Sequence, residues 1–330
     1  MELQPAALLE ALVLRPGRAR GGGGPMAGVK GEFVREFSVE EPVELVVTAG
    51  SGDVGVRRGP RGKVVVQGTY YVRAVPRSRA ERLAELIERH PPVELRGREI
   101  RVGDLVRYTA EVGPSFLGEV FEGIEIDYEI EVPERTEARV EIGSGDVEVW
   151  GIAGPVRISA GSGDVELRDI AAEVEAKTGS GDVEAEDVDG DLVVGTGSGN
   201  LEARRVGGDL EARTGSGDIE IADLSGDLDV TTGSGDIRLE GVKGDIEARA
   251  GSGDIEIRSG LESGRVWRLR SGSGDIKVLL PSGTEARLEL ESRFGEVRSD
   301  LKGSPDAPAA IEAKTESGDI RVKVEGGEGK

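Results

Sequence analysis

The chain has 330 residues, no cysteine, only 3% aromatic residues, and 42 basic against 64 acidic side chains, for a formal net charge of −22. That balance argues against nucleic acid or anionic membrane as a partner, because both reward surfaces rich in Lys and Arg. No apolar run approaches the length of a transmembrane helix, and a chain without thiols can form neither disulfides nor thiolate metal sites.

Residues 1–30 read as a flexible tail. Pro5 to Leu14 is a short apolar helix candidate, but Arg15, Arg18 and Arg20 follow it and Gly21 to Gly24 come next, the reverse of the order in a secretory signal. The expectation is a cytoplasmic protein whose translation starts at Met1 or Met26. The alternative is association with the cell envelope, for which this segment would supply a weak amphipathic anchor.

From Phe33 to Arg73 the apolar residues Phe33, Phe37, Val43, Leu45, Val47, Val54, Val56, Val64 and Val66 stand mostly two apart, the spacing of strands. The period then changes. Leu83, Leu86 and Ile87 sit at helical spacing among Arg and Glu residues, Ser78 precedes Glu81 in capping-box order, and Pro91-Pro92 ends the run, which predicts a helix over about 77–89. Strands are expected at Val93–Val102 and Ile124–Val132, around a looser stretch that holds Pro114, Phe116, Leu117 and Phe121.

Beyond residue 140 one phrase organises everything: Gly-Ser-Gly-Asp followed by an aliphatic residue, with its acidic position at Asp146, Asp164, Asp182, Asn200, Asp218, Asp236 and Asp254, always 18 residues apart. Looser copies fall at Asp275 and Asp319, a degenerate Phe294-Gly295-Glu296-Val297 lies between them, and an outlying copy sits at Asp53. A weaker phrase falls nine residues into the unit, at Asp191-Leu192, Asp209-Leu210, Asp227-Leu228 and Asp245-Ile246. Within residues 218–235, Ile219, Ile221, Leu224, Leu228 and Val230 alternate with polar or small residues at period two, so each half is a short strand and a tight turn. A fixed short period of this kind marks a solenoid.

One such coil cannot stand alone, because ordering the backbone costs about 1–2 kcal/mol per residue and a handful of inward aliphatics cannot offset that over 18 residues. Stacked coils about 4.8 Å apart pair as parallel strands and turn the apolar positions into continuous columns. The predicted fold is therefore all-β, a single-stranded parallel β-solenoid of 18-residue coils with two facing sheets and one inserted helix. Its parts are a tail (1–30), N-terminal coils or a cap (31–140) and the regular array (141–330). Pro281 and the segment Lys302–Ala310 mark longer turns and an atypical terminal coil.

The Gly-Ser-Gly-Asp-Val/Ile turns, the Gly-Asp-Leu half-repeats and the Val132-Pro133 approach to the array resemble the bacterial putative-adhesin family of β-strand-repeat proteins, over roughly residues 33 to 325. The resemblance implies a β-solenoid, right-handed, without catalysis. It also implies, through some relatives, a link to the cell envelope and its stress responses.

The acidic column is the one constellation that could carry chemistry. Glycine-rich nonapeptides with Asp also build calcium-binding β-rolls, which would make Asp146, Asp164, Asp182, Asp218, Asp236 and Asp254 metal ligands. Against this, Asp follows Gly directly here, Asn200 interrupts the column, and Pro155 and Glu173 replace Asp in the weaker half-repeat. The simpler reading is that Gly supplies positive φ while Ser and Asp bond nearby backbone N–H groups. A polysaccharide-active β-helix is a lower alternative, since the short turns leave no long loops to wall a cleft. No Ser has a His within relay distance in the sequence pattern, and the lone His90 reads as a charge at the helix C-terminus. Trp150 and Trp267 are packing residues or, less simply, stacking platforms. The expectation is a non-enzymatic rigid scaffold or interaction module without cofactor, whose partner is a protein or an envelope component and whose ends could self-associate.

Overall fold

In the computed structural model the described residues are 28–73, 77–103 and 123–325. The Pro5–Leu14 helix candidate and the stretch containing Pro114, Phe116, Leu117 and Phe121 lie outside them.

The N-terminal elements are β1 (Val29–Ser38), β2 (Val43–Ser51), β3 (Val54–Arg58), β4 (Lys63–Val72), α1 (Arg77–Arg89), β5 (Val93–Arg96), β6 (Glu99–Val102) and β7 (Ile124–Val132). The array continues with the pairs β8 (Thr136–Ser144) and β9 (Val147–Trp150), β10 (Val156–Ser162) and β11 (Val165–Ile170), and β12 (Val174–Ser180) and β13 (Val183–Val188). Next come β14 (Leu192–Ser198) and β15 (Leu201–Val206), β16 (Leu210–Ser216) and β17 (Ile219–Leu224), and β18 (Leu228–Ser234) and β19 (Ile237–Glu240). The last are β20 (Ile246–Ser252) and β21 (Ile255–Arg258), β22 (Val266–Ser273) and β23 (Ile276–Leu280), β24 (Arg287–Ser292) and β25 (Val297–Ser299), and β26 (Ala310–Ser317) and β27 (Ile320–Val324).

Each pair is one coil, and it gives one strand to each of two long sheets of 14 and 13 strands. Registration is strict: Val174 pairs with Leu192 and Leu192 with Leu210, each step one 18-residue repeat along the chain. The alternation read from residues 218–235 is the burial pattern, since Ile219, Ile221, Leu224, Leu228 and Val230 are each no more than 3% exposed. A sixth inward position is polar. Thr178, Thr196, Thr214 and Thr232 are buried in one column, and each hydroxyl donates to a carbonyl of the preceding coil, from Thr178 to Gly163 O at 3.1 Å and from Thr232 to Gly217 O at 3.0 Å. That bond satisfies a hydroxyl whose burial would otherwise cost about 1–3 kcal/mol.

The opposite corner is held by backbone in the left-handed region. Asp169, Asp187, Arg205 and Asp223 have φ of 55, 57, 55 and 58°, and Gly151 (72°) and Gly241 (66°) flank this column at the same 18-residue step. Gly and Asp tolerate that region. Arg205 does not by nature, and its guanidinium is anchored on the Asp187 carboxylate at 2.6 and 3.0 Å.

Spatial order departs from chain order at both ends. The coil β2–β3 lies between β8–β9, whose paired residues follow 93 positions later, and an outer layer of β6 and β7. Outside β7 the sheet turns antiparallel, with β4 on β7 and β1 on β4, and α1 packs on β1 and β4 through Ala80, Leu83, Ala84 and Ile87. The N-terminal region is thus one intercalated coil under an antiparallel cap. Three expectations change in detail. Val29 and Lys30 already belong to β1, and Val93–Val102 is not one strand but the hairpin β5–β6, turned at Gly97 (φ 63°). Ser78 lies inside α1, where Arg77 and Glu81 pair at 3.1 Å, so it is not the cap. At the C-terminal end, β26–β27 lies between β22–β23 and β24–β25.

Because one coil is the unit that keeps both sheets in register, removing Asp218–Gly235 should leave a folded rod one coil shorter. Removing Ile219–Asp227 joins half-coils of opposite sheets and should abolish the cooperative transition. Circular dichroism melts of the two deletions decide this, and equal folding of both would contradict the two-sheet coil.

Candidate functional site

Each Gly-Ser-Gly-Asp phrase makes the corner that leads from one sheet to the other. The coils approach here more closely than a side chain allows: a Cβ on Gly163, whose φ is 127°, would lie 1.8 Å from Gly145 O. Glycine is therefore required by contact as well as by conformation. The corner backbone also needs partners that a strand ladder cannot supply, and the acidic residue provides one. Asp146 Oδ1 accepts the N–H of Asp164, Asp164 Oδ1 that of Asp182, and Asp182 Oδ1 that of Asn200, at 2.9, 2.9 and 2.7 Å.

Asn200 continues the chain with its own amide oxygen, 2.9 Å from Asp218 N. Asp218, Asp236 and Asp254 carry it on to Asp236, Asp254 and Asp275 at 2.8, 2.9 and 2.7 Å. The ladder starts upstream of the array, where Asp127 Oδ1 takes Asp53 N at 3.0 Å and Asp53 Oδ1 takes Asp146 N at 2.9 Å. It ends with Asp275 on Asp319 and Asp319 on Glu296, both at 2.9 Å. The outlying copy at Asp53 is thereby stacked directly against Asp146, 93 residues away. A second, shorter ladder joins Asp191, Asp209, Asp227 and Asp245 and closes on Val266 N.

The six predicted candidates thus fall in one column, each with one carboxylate oxygen committed to the next coil. The second oxygens of several meet cations: Arg238 lies 3.5 Å from Asp218 Oδ2 and 2.9 Å from Asp236 Oδ2, and Arg321 lies 3.2 Å from Asp275 Oδ2. Among the described residues, no group of three or more His, Cys, Asp or Glu is arranged to hold a metal ion.

A second acidic column escaped sequence reading. On the outer face of the larger sheet, Glu148, Glu166, Glu184, Glu202 and Glu220 stack in register. Arginines two residues along the strand relieve most of it. Arg168 is 2.6 Å from Glu166 and 3.5 Å from Glu184, and Arg204 pairs with Glu202 and reaches Glu220 at 3.9 Å. At Glu148 the corresponding neighbour is Trp150, which pairs with Arg168 across the strands. Crowding that strips water from the Glu148 carboxylate, together with repulsion from Glu166, Glu129 and Asp53, holds its pKa above the ordinary glutamate value. Glu129 is raised too, by the same loss of solvation, which outweighs its attraction to Arg57. The signal was present in the sequence as Glu at every eighteenth position, with Trp150 where Arg168 and Arg204 stand later.

Of the aromatic candidates, Trp267 is fully buried in β22, with Nε1 donating to Gly244 O at 3.3 Å, so it is core and no platform. Trp150 stays 42% exposed at the end of β9. His90 stands exposed immediately beyond α1, its backbone N–H donating to Leu86 O at 2.9 Å.

With two facing parallel sheets and the corner ladders in place, the comparison that decides the family is a match of residues 106–329 to the family model described as Toastrack DUF4097. The chain belongs to the Toastrack DUF4097 family. Solved structures similar to this Toastrack chain include a "putative adhesin" from Bacteroides fragilis NCTC 9343, 15% identical, covering 88% of this chain and 97% of the other at a TM-score of 0.35. A "putative cell adhesion protein" from Clostridium sporogenes ATCC 15579 is 14% identical, with 90% and 100% covered and a TM-score of 0.21. A "putative lipid binding protein" from Parabacteroides distasonis ATCC 8503 is 15% identical, with 88% and 96% covered and a TM-score of 0.32. Scores this low carry no argument about function. A search of the curated proteins finds no match. No described helix is long and apolar enough to cross a membrane.

Two predictions follow from the columns. Asp236→Asn keeps an acceptor and should change stability by less than about 0.5 kcal/mol, whereas Asp236→Ala leaves Asp254 N without its partner and should cost about 1 kcal/mol, read from denaturant midpoints. Glu148 binds its proton more tightly folded than unfolded, so its contribution is full below the unfolded value of about 4.3 and is lost as pH rises through the folded value. Glu148→Gln should therefore melt higher than wild type near pH 8, and this difference should shrink as pH falls towards 4, read from melting temperatures of the two proteins across that range.

Proposed function

We propose that this chain is a non-enzymatic, rigid, acidic rod that acts as an interaction or scaffolding module and needs no cofactor. The observation that carries this reading is the corner ladder. The repeated Asp, the residue most able to bind a metal or do acid–base work, gives an oxygen to the backbone of the next coil and so builds the rod instead of facing a ligand. Asn200 serves as well as Asp in the middle of the column, as expected where an acceptor is needed and a charge is not. Both sheets then present outward charged rows, such as Glu166 beside Arg168 on the larger and Glu247 beside Arg249 on the smaller, which suit a polar partner met over many weak contacts.

On this proposal the partner is a protein or an envelope component of a bacterial cell, and service in envelope stress is the context that the family resemblance implies. The competing calcium β-roll makes the opposite demand on the same carboxylates, because a ligand that binds only the folded state adds stability as RT ln(1 + [L]/Kd). Melting temperatures in chelator and in millimolar calcium, at matched ionic strength, should differ by no more than a few degrees. The pair Asp182→Asn and Asp236→Asn should melt at the wild-type temperature or slightly above it. A large calcium-dependent rise that disappears in the double variant would overturn the scaffold reading. Photo-crosslinkers placed on the outer rows at Glu175 and Glu220 in the native host should then trap one discrete partner, which a crosslinker at the inward Ile221 should not.

A further inference from the structure

The last described coil of the chain is not the last coil of the rod. β26 is sandwiched between β22 and β24, and β27 between β23 and β25, so residues 310–325 fill a slot whose two walls both precede them in sequence. A single connection, residues 300–309, delivers this coil.

The two walls present the same register to the inserted coil. Trp267 and Leu288 both pair with Ile311, Leu269 and Leu290 both pair with Ala313, and Ile276 and Val297 both pair with Ile320. With the coil withdrawn, Leu288 can therefore come down on Trp267 and Leu290 on Leu269 without a change of phase. The outer wall is also the least consolidated part of the rod, with Phe294 73% and Val297 43% exposed, whereas Ile311, Ala313, Ile320 and Val322 of the inserted coil are no more than 1% exposed. A layer with so few buried apolar contacts opens locally at low cost, and its opening bares one whole flank of the inserted coil. A withdrawn coil then carries two apolar rows that fit only such a slot, and a second copy of the chain offers an identical one.

We propose that the C-terminal coil, residues 310–325, exchanges between two copies, each inserting its coil into the slot between β22–β23 and β24–β25 of the other, to give a tail-to-tail swapped dimer. The partner is thus another copy of this chain. The inference stands on the topology of the rod's end and is independent of the scaffold reading, since a calcium-binding rod with this topology would exchange in the same way.

The chain contains no cysteine, which allows a direct test. Glu291 and Lys314 are cross-strand partners on β24 and β26 with side chains 3.0 Å apart, both solvent-facing. Full-length Glu291→Cys and full-length Lys314→Cys, carrying different tags, are mixed under reducing conditions at high concentration, held a few degrees below the melting temperature, cooled and oxidised. Exchange places the two sulfurs side by side only across chains. The expected result is a disulfide-linked heterodimer several-fold in excess over either linked homodimer, growing with protein concentration and with time of incubation. The chain carrying both substitutions, oxidised beforehand so that its own coil is locked in place, should stay monomeric through the same treatment. A second variant, lacking Pro305–Ala307 in the connection, should shift towards dimer in light scattering without incubation, because a shortened connection cannot fold its coil back into its own slot. Heterodimer no more abundant than the homodimers in the mixing experiment, or dimers that form equally from the pre-locked chain, would overturn the proposal.

Discussion

A parallel stack of short coils must satisfy its backbone at the corners as well as along the strands, and the corner is where ordinary pairing stops. Here the N–H of each corner Asp or Asn in the array points to a neighbouring coil and meets a side-chain oxygen 2.7–2.9 Å away. The distance between coils set by β pairing is about 4.8 Å, too short for any Cβ at the glycines of the same corner. The two requirements reinforce each other: glycine lets the coils come close enough for the Asp bond, and the Asp bond holds each corner in register with the next. Where the spacing lengthens the bond is kept: a longer turn separates Asp254 from Asp275, and the chain builds β24–β25 between Asp275 and Asp319, yet the bonds measure 2.7 and 2.9 Å.

This constraint explains why the fold was legible. A feature that every coil must repeat appears in the sequence as a period, so the 18-residue unit, its inward aliphatics and the strand alternation could all be read off, as could the helix at 77–89. Features that need only suit their neighbours were less visible. The Thr178–Thr232 column looks like ordinary outward polarity until its hydroxyls are seen on the carbonyls of the coil before. The left-handed corner shows in the sequence as Gly, Asp, Asp, Arg, Asp and Gly at positions 151 to 241, and the arginine hides the pattern. Whether the Asp column bonds backbone or metal depends on where its oxygens point, which the repeat does not encode.

Spatial order was the least legible property, for a physical reason. Coils that share one register are interchangeable as neighbours, so a repeat specifies that coils stack and leaves open which lies on which. The choice falls to small differences in how well each fills a doubly covered place. Leu45, Val47, Val54 and Val56 of the β2–β3 coil are at most 1% exposed in their inside position, and the same holds at the other end for Ile311, Ala313, Ile320 and Val322. Apolar area is worth roughly 25 cal/mol per Å² when removed from water, and an inside coil is covered on both flanks where an outside coil is covered on one. At the C-terminal end, placing the richer coil inside and the poorer one outside therefore gains burial over the sequential order.

The poorer coil left at the C-terminal end also suits an edge. An open parallel edge is a template for further strands, and proteins blunt it with short strands, charges or a covering element. The N-terminal end uses cover: β4 and β1 turn the sheet antiparallel, and α1 packs against both. The C-terminal end uses brevity and charge, since β25 spans three residues with Arg298 at its centre and β24 alternates Arg287, Glu289 and Glu291 outward. Leu301, crossing from one sheet to the other beyond β25, is only partly buried against the core. A lid of this kind discourages blind stacking of rods while covering the coil beneath it with one thin layer, so the two ends differ in kind: one is closed by a helix and antiparallel strands, the other by short charged strands.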